Sequence, residues 1–523
     1  MSTRLTFMRC KQIRWYSTKK KMKIVDTVDR LISNNELKHR HHPGVTKPKF
    51  IEQPNWLENT VRIILRENTV SSNIIHLSGQ KLAAHLHNRH PPPEKEDIYL
   101  KMQEVRSKLQ IDDIENINNN DLFKIPEAKL LLQNSVYNWA PIQYDTYTSL
   151  AYLVSRSVPE YSVLYKIFNE IVDRDKNFIP KTLFDYGSGI GTVMWAASQF
   201  WVNSIKEYFC VDISKNINEL SEYIIKNAKP QINSKYIFYR QFFPASPIPT
   251  YDIVVSAYSL LELPHQESRL KTILKLWRKT ERYLIIVEHG TGAGFRIINE
   301  ARDFILDYQK YRDKPHLFSP CPHDLQCPRY QTDKTPCNFE VSYLTLPIGQ
   351  TSTYKRERYS YVVFKKGDEC LENDCKWPRI VRPVLKRSKH VICRLCTSSG
   401  ELTEQIFTTW KNGKNTYRCA RCSEWGDRLP FEIIETKETE GIETKETEGI
   451  EEKETEGIEE KETEGIEEKE TEGIEEKETE GIEEKETEGI EEKETEGIEE
   501  KETEGIEEKE TEGIEETETE DPM

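Results

Sequence analysis

The stretch from Thr182 to Thr192, TLFDYGSGIGT, limits the possible folds of this chain more than any other. A short apolar run ends beside Asp185, and glycines follow at Gly187, Gly189 and Gly191. VMWAASQF then reads as a helix. Glycines in this place let the backbone turn sharply from strand to helix and approach a ligand closely. A dinucleotide fingerprint would need its third glycine at 192, where the residue is Thr192. A P-loop would need Gly-Lys-Ser/Thr, which does not follow. The spacing suits S-adenosylmethionine: Asp185 can meet the cofactor's cationic amino-acid end, and no pyrophosphate has to be held.

From Lys181 onward, strands and helices alternate. EYFCVDIS (207–214) is a strand ending in Asp212, and NINELSEYIIKNA is a helix. YDIVVSAYSL (251–260) is a strand, QESRLKTILKLWRKT a helix and RYLIIVEHG (282–290) a strand. This alternation predicts an α/β fold with a doubly wound, mostly parallel sheet. Asp212, at a strand end, is placed to accept both ribose hydroxyls with its two oxygens. EVSYLTLPIG and ERYSYVVFKKG supply late strands. Residues 24–180 read mainly as helices broken at Pro91–Pro93, Pro126 and Pro141, the clearest being 159–174. HRHHPG (39–44) groups three histidines without a cysteine or acid at matching spacing, so it reads as a surface turn.

A cofactor loop is not a catalytic site. Base-amino methyltransferases carry Asn/Asp-Pro-Pro-aromatic after the fourth strand; here the slot is Ser256 to Ser259, SAYS. No cysteine nucleophile lies between Cys210 and Cys321. Glu262, His265 and Glu288 are candidate bases, with helix-cap or surface roles equally open to each.

Charge divides the chain in two. From Glu435 an octapeptide, IEEKETEG, repeats with 43 acidic residues and 10 lysines, leaving the body at a net charge of +17. One isoleucine per repeat cannot offset the entropy of ordering, so 435–523 reads as disordered. The first 25 residues hold eight Lys or Arg and no acid, with Ser, Thr and scattered apolar residues between. That is the make-up of a mitochondrial transit peptide, cut after Tyr16. No apolar run reaches the ~20 residues that span a bilayer, so no membrane partner is expected. The compartment expected is the matrix, a reducing space where clustered cysteines suggest metal rather than disulfides.

The cysteines run Cys321-x5-Cys327-x9-Cys337, then Cys370 and Cys375, then Cys393-x2-Cys396-x22-Cys419-x2-Cys422. The last four have zinc-ribbon spacing, and four thiolates could equally hold an iron–sulfur cluster. Prolines around Cys321 and Cys327 stiffen the backbone and reduce the entropy lost on ligation. Between the two groups, KWPRIVRPVLKRSKHVICR (376–394) carries seven Lys or Arg and no acid, which favours contact with phosphates.

Several long motifs recur in order: LFDYGSGIGTVMWAA, YDIVVSAYSLLELP, VEHGTGAGFRIINEARDFIL, CPHDLQCP, CNF, WPRIVRPVLKRSKHV, Cys396 and CARCSEWGD. Over roughly 125–430 they resemble the mitochondrial methyltransferase-like protein 17 family. The resemblance implies a class I S-adenosylmethionine-dependent methyltransferase-like fold that binds the cofactor through Asp185, Gly187, Gly189, Gly191 and Asp212 without evident catalysis. It implies a [4Fe–4S] cluster on Cys321, Cys327, Cys337 and a fourth cysteine within HVICRLC, Cys396 with Cys393 as the alternative, and His323 as a turn residue beside the ligands. Zinc on Cys393, Cys396, Cys419 and Cys422 is the rival assignment. It implies a monomeric assembly factor of the mitochondrial small ribosomal subunit, binding its rRNA and proteins in the matrix and needed for mitochondrial translation. The alternative is an active methyltransferase on the same rRNA.

The expected organisation is a transit peptide (1–16), a helical N-terminal region (17–176) and the methyltransferase-like core (177–310). A cysteine-rich metal segment with late strands (311–434) and the acidic repeat (435–523) follow. The cluster is expected to tie the segment after Glu288 to the basic stretch.

Overall fold

The computed structural model describes residues 19–436 apart from 110–124, 138, 229–231, 233–235, 245–248, 309–314, 333–334, 349–351 and 368–375. The expected leader, the acidic repeat beyond 436, Cys370 and Cys375 lie outside the described residues. The chain enters through β1 (Lys19–Ile24) and β2 (Phe50–Ile51). The main sheet then forms from β3 (Thr182–Tyr186), β4 (Glu207–Val211), β5 (Tyr236–Arg240), β6 (Tyr251–Ala257), β7 (Thr280–His289), β8 (Pro315–Ser319), β9 (Phe339–Leu344) and β10 (Tyr354–Lys366).

Its order is β5-β4-β3-β6-β7-β10-β9-β2, with β8 also on β10. Strands β5, β4, β3, β6 and β7 are parallel, and β10 runs antiparallel to β7. This is the doubly wound sheet closed by a late reversed strand that marks class I methyltransferase-like folds. Both faces are covered by helices, so the central strands are continuously apolar. Period-two alternation still assigns the faces. Tyr283, Ile285 and Val287 pack with the helices Thr146–Arg174, Thr192–Trp201 and Lys215–Asn227. Leu284 and Ile286 pack with Gln266–Lys279 and Gly292–Tyr308. The core therefore does not end at 310: β8, β9 and β10 complete its sheet, because β10 needs a pairing edge on each side.

One edge of β10 positions the cysteines. β9 pairs its first half, with Phe339 opposite Tyr359, and β8 pairs its second half, with Ser319 opposite Val363. Residues 320–338 link β8 to β9 across that gap, and they carry Cys321, Cys327 and Cys337. Ser360 fills the gap from β10, donating its hydroxyl to the Cys337 carbonyl at 2.9 Å.

A second, smaller core gathers β11 (Arg379–Ile380), β12 (Leu385–Lys386), β13 (His390–Cys396), β14 (Leu402–Thr408) and β15 (Phe431–Thr436), with β13 bonded to β11, β12 and β14. β1 pairs antiparallel with β15, and the helix Asp26–Ser33 adds Val28 and Ile32 to this core. The N-terminal region is thus not a helical unit throughout. In KKKMKI, Met22 and Ile24 alternate with lysines, and both are buried. Burying two such side chains stabilises by about 1.5–3 kcal/mol each. His42 is also buried, contrary to a surface turn, bonding Ser423 Oγ through Nε2 at 2.8 Å and accepting from the Gly44 N–H through Nδ1. Burial, with the Arg428 charge, lowers its pKa to about 3.

Candidate cofactor site and cysteine pocket

The glycine loop is built as its composition requires. Gly187 (φ +72°) would bring a Cβ to 2.4 Å from the Ser259 Cβ, and Gly191 (φ +91°) would bring one to 2.8 Å from the Ser221 Oγ. Only glycine satisfies both conditions at these positions. The Gly187 and Ser188 N–H groups donate to the Val211 carbonyl at 2.7 and 3.1 Å, anchoring the loop across the ends of β3 and β4.

Asp185 is 1% exposed, and neither of its carboxylate oxygens has a hydrogen-bond partner among the described residues. Burial, then the neighbouring Asp212 and Glu160, push its pKa well above the usual carboxylate range. A buried acid left without donors is costly, and a cationic ligand group would relieve it. Asp212 is tied into the loop itself. Its two oxygens already accept the Gly189 and Ser214 N–H groups at 2.9 and 3.0 Å. It braces the loop, because a strand-end carboxylate meets the turn's free N–H groups first.

The long helix Thr146–Arg174 contributes residues that sequence reading passed over. Arg156 bonds Glu160 at 3.3 Å and Glu357 at 3.0 Å, and Tyr152 donates to Glu160 at 2.5 Å. Burial pushes Glu160 up to about 7 against the pull of Arg156. The signal was an Arg-x3-Glu pair at helical spacing.

The candidate bases differ in how far the fold engages them, and one oxygen of Glu288, Oε2, is buried without a partner among the described residues. Glu262 pairs with the buried Arg89 and accepts the Ile142 N–H at 3.3 Å. His265 precedes the helix Gln266–Lys279 with its side chain exposed; its backbone N–H donates to Ser268 Oγ at 3.4 Å. Glu288 accepts the Leu260 N–H at 2.9 Å, and burial pushes it up to about 8. In the SAYS slot, Ser256 and Ser259 bond each other at 2.8 Å. Tyr258 sits at φ +56°, with the Arg156 guanidinium 5.4 Å from its ring centroid.

Cys321, Cys327, Cys337 and Cys396 line one pocket, closed by Pro320, Phe339, Val381 and Leu402. Among the described residues no three His, Cys, Asp or Glu side chains converge tightly enough for a single metal ion. Burial, then Cys327 and Cys321, push the Cys337 thiol up to about 12. Burial, then the other three cysteines, also push the Cys396 thiol well up. Such a set becomes thiolate only around a cationic centre. The donor set fits a four-cysteine cluster.

The surroundings are positive and fastened. Arg302 is buried beside Cys321, donates to the Leu325 carbonyl and pairs with Asp303 at 2.7 Å. His323 Nε2 stands 3.4 Å from Cys396 Sγ. Burial, then Arg302, lower the ring to about 4, so it is neutral. Arg379 joins three distant segments. It bonds Glu170 at 2.5 Å, the Pro320 carbonyl at 3.0 Å and the Gly426 carbonyl at 2.8 Å. Burial pushes Glu170 up, but Arg379 and Arg174 reverse this and hold it far below the ordinary range.

The zinc foursome is divided. Cys393 and Cys396 lie three residues apart on β13 and so face opposite ways. Cys393 joins Cys419 in the smaller apolar core, whereas Cys396 faces the pocket.

Comparison with known proteins agrees with the motifs. The family model described as mitochondrial small ribosomal subunit Rsm22 matches residues 146–430. The human mitochondrial ribosome assembly protein METTL17 is 36% identical over 412 residues, 75% of this chain and 86% of that protein. The mitochondrial Rsm22-cox11 tandem protein 2 of Schizosaccharomyces pombe is 29% identical over 329 residues, 54% of this chain and 43% of that one. A magnesium protoporphyrin IX methyltransferase from Synechocystis, solved with bound SAM, overlaps 50% of this chain and 97% of its own at 13% identity and TM-score 0.27. The fold assignment therefore rests on the strand order. With the family model matching more than half of its length, the chain belongs to the mitochondrial small ribosomal subunit Rsm22 family.

Proposed function

We propose that this chain is an assembly factor of the mitochondrial small ribosomal subunit. It works in the matrix as a monomer, contacts that subunit's rRNA and proteins, and is needed for mitochondrial translation. It binds S-adenosylmethionine at the glycine loop that follows β3 and uses the methyltransferase-like fold as a platform rather than a catalyst. One observation carries this reading: a ligand-ready Asp185 stands where the SAYS slot holds two serines bonded to each other and Glu262 is spent on Arg89 and the Ile142 N–H. The mitochondrial and ribosome-assembly names of the relatives support the setting.

Cys321, Cys327, Cys337 and Cys396 hold a [4Fe–4S] cluster in this reading. The cluster would supply a rigid tetrahedral staple between the 320–338 link and β13. The body's net charge of +17 supports a polyanionic partner.

The test is complementation of cells lacking the protein with Asp185→Ala/Asp212→Ala. A platform supports small-subunit maturation without bound cofactor. An active rRNA methyltransferase, the second reading that Asp185 allows, loses both rRNA methylation and maturation. Iron and sulfide analysis of anaerobically purified protein tests the cluster; zinc without iron would overturn it.

A further inference from the structure

Trp410 is 96% exposed, the most exposed large hydrophobic side chain among the described residues. Leaving a whole indole in water forgoes the largest burial any side chain offers. Nothing about its backbone is loose. The Thr408 hydroxyl accepts the Lys411 N–H at 3.0 Å, capping the turn Thr409–Asn412. Asn412 is buried, accepts the Thr408 N–H at 3.2 Å and donates to the Met22 carbonyl at 3.2 Å, fixing the turn to β1. The ring is held out by a turn fastened at both ends.

The charge on the segments flanking it is positive, and the acid that faces them, Asp29, already accepts from Asn415 Nδ2 at 2.9 Å. His390 faces Thr408 across β13 and β14, so the hairpin turn 386–390 lies beside the strand end that leads into Trp410. That turn exposes Lys386 and Lys389, and the segment after Trp410 exposes Lys411, Lys414 and Arg418. No Asp or Glu occurs in 376–394 or 405–423. A rigid aromatic face among lysines is the arrangement with which proteins hold single-stranded nucleic acid: cations track the backbone and the ring stacks on a base. RNA offers such a base only where it is unpaired.

We propose that Trp410 is a stacking platform for an unpaired base of the RNA, with the flanking lysines on adjacent phosphates. This rests on the rRNA-binding reading above and adds to it a residue and a strand state. The test uses the full chain with a single-stranded RNA of about 16 nucleotides and a duplex of equal length, by fluorescence anisotropy across a salt series. Trp410→Ala weakens single-strand binding about five- to a hundred-fold and leaves duplex binding and the salt slope unchanged. Trp410→Phe restores most of the loss. Lys411→Glu/Lys414→Glu flattens the salt slope instead. Equal single-strand binding by Trp410→Ala, or equal losses on both RNAs, overturns the proposal. So does unchanged RNA binding with lost association to small-subunit proteins, which would make the ring a protein contact. If the unaltered chain binds neither RNA, the rRNA-binding reading itself fails.

Discussion

Replacing Arg379 with methionine keeps the side-chain volume and removes the cation. Its side chain and that of Glu170 are 3% and 9% exposed, so solvent screening does not discount the pair. Breaking a buried pair by removing one partner costs about 3–5 kcal/mol. Two facts set the value near the lower end. Arg174 remains 2.9 Å from Glu170, and Ser319 Oγ still donates to it at 3.0 Å. Against this, the Pro320 and Gly426 carbonyls both lose a charged donor. We expect about 3–4 kcal/mol from Arg379→Met, similar for Glu170→Gln, and less than their sum for the double variant, with coupling of about 2 kcal/mol. Equilibrium urea denaturation followed by tryptophan fluorescence reads all three. Linkage adds a second readout. Glu170 is held below its ordinary value of about 4.5, so its contribution is present above that pH and fades as pH falls further. Arg379→Met flattens that acid limb. Single losses under about 1 kcal/mol, or a double that is additive within about 0.5 kcal/mol, would refute the clamp.

Gly187→Ala puts a Cβ 2.4 Å from Ser259 at φ +72°, so we expect a loss of about 2 kcal/mol in stability and no cofactor binding by equilibrium dialysis. His42 has a folded pKa near 3 against an ordinary 6.5, so the unfolded chain takes up the proton first. Stability should therefore decline as pH drops below about 6.5, and His42→Asn should remove that part of the slope in a pH series of urea midpoints. Cys396→Ser should lose the iron signal in visible absorption. Cys393→Ser should keep it while lowering the melting temperature, since Cys393 packs in the smaller apolar core.

Legibility in the sequence followed burial. β3, β6 and β7 are runs of Val, Ile and Phe bounded by Gly, Asp and Ser, and no other element type accommodates them under two helical layers. β1 was hidden because its lysines matched a targeting segment, and its strand parity rests on only Met22 and Ile24. Arg156, Glu160 and Arg379 were hidden because a charged residue reads as surface until its partner, up to 209 positions away for Arg379, is known. The fourth cysteine was open for a simpler reason. Once His390–Cys396 is a strand, Cys393 and Cys396 must face opposite sides, but the mixed pattern HVICRLC does not declare itself a strand.

The cysteine pocket sits off the main sheet, which decides what its loss should do. The 320–338 link leaves the sheet at one edge of β10, while β3, β4, β6 and β7 pair among themselves without it. The same link meets β11 through the Arg379 bond to the Pro320 carbonyl and β13 through the His323 contact with Cys396. Closing a long loop by ligation removes more entropy from the open state than closing a short one, and Cys321 to Cys396 spans most of the late chain. Cys321→Ser should therefore loosen the smaller core and leave the cofactor fold standing. Hydrogen exchange reads this directly: amides of β11, β13 and β14 should exchange faster by one to two orders of magnitude, about 1.4–2.8 kcal/mol of local opening, with β3, β6 and β7 unchanged. Uniform loss of protection in both regions would mean that the pocket supports the whole fold, and the staple would then not be local.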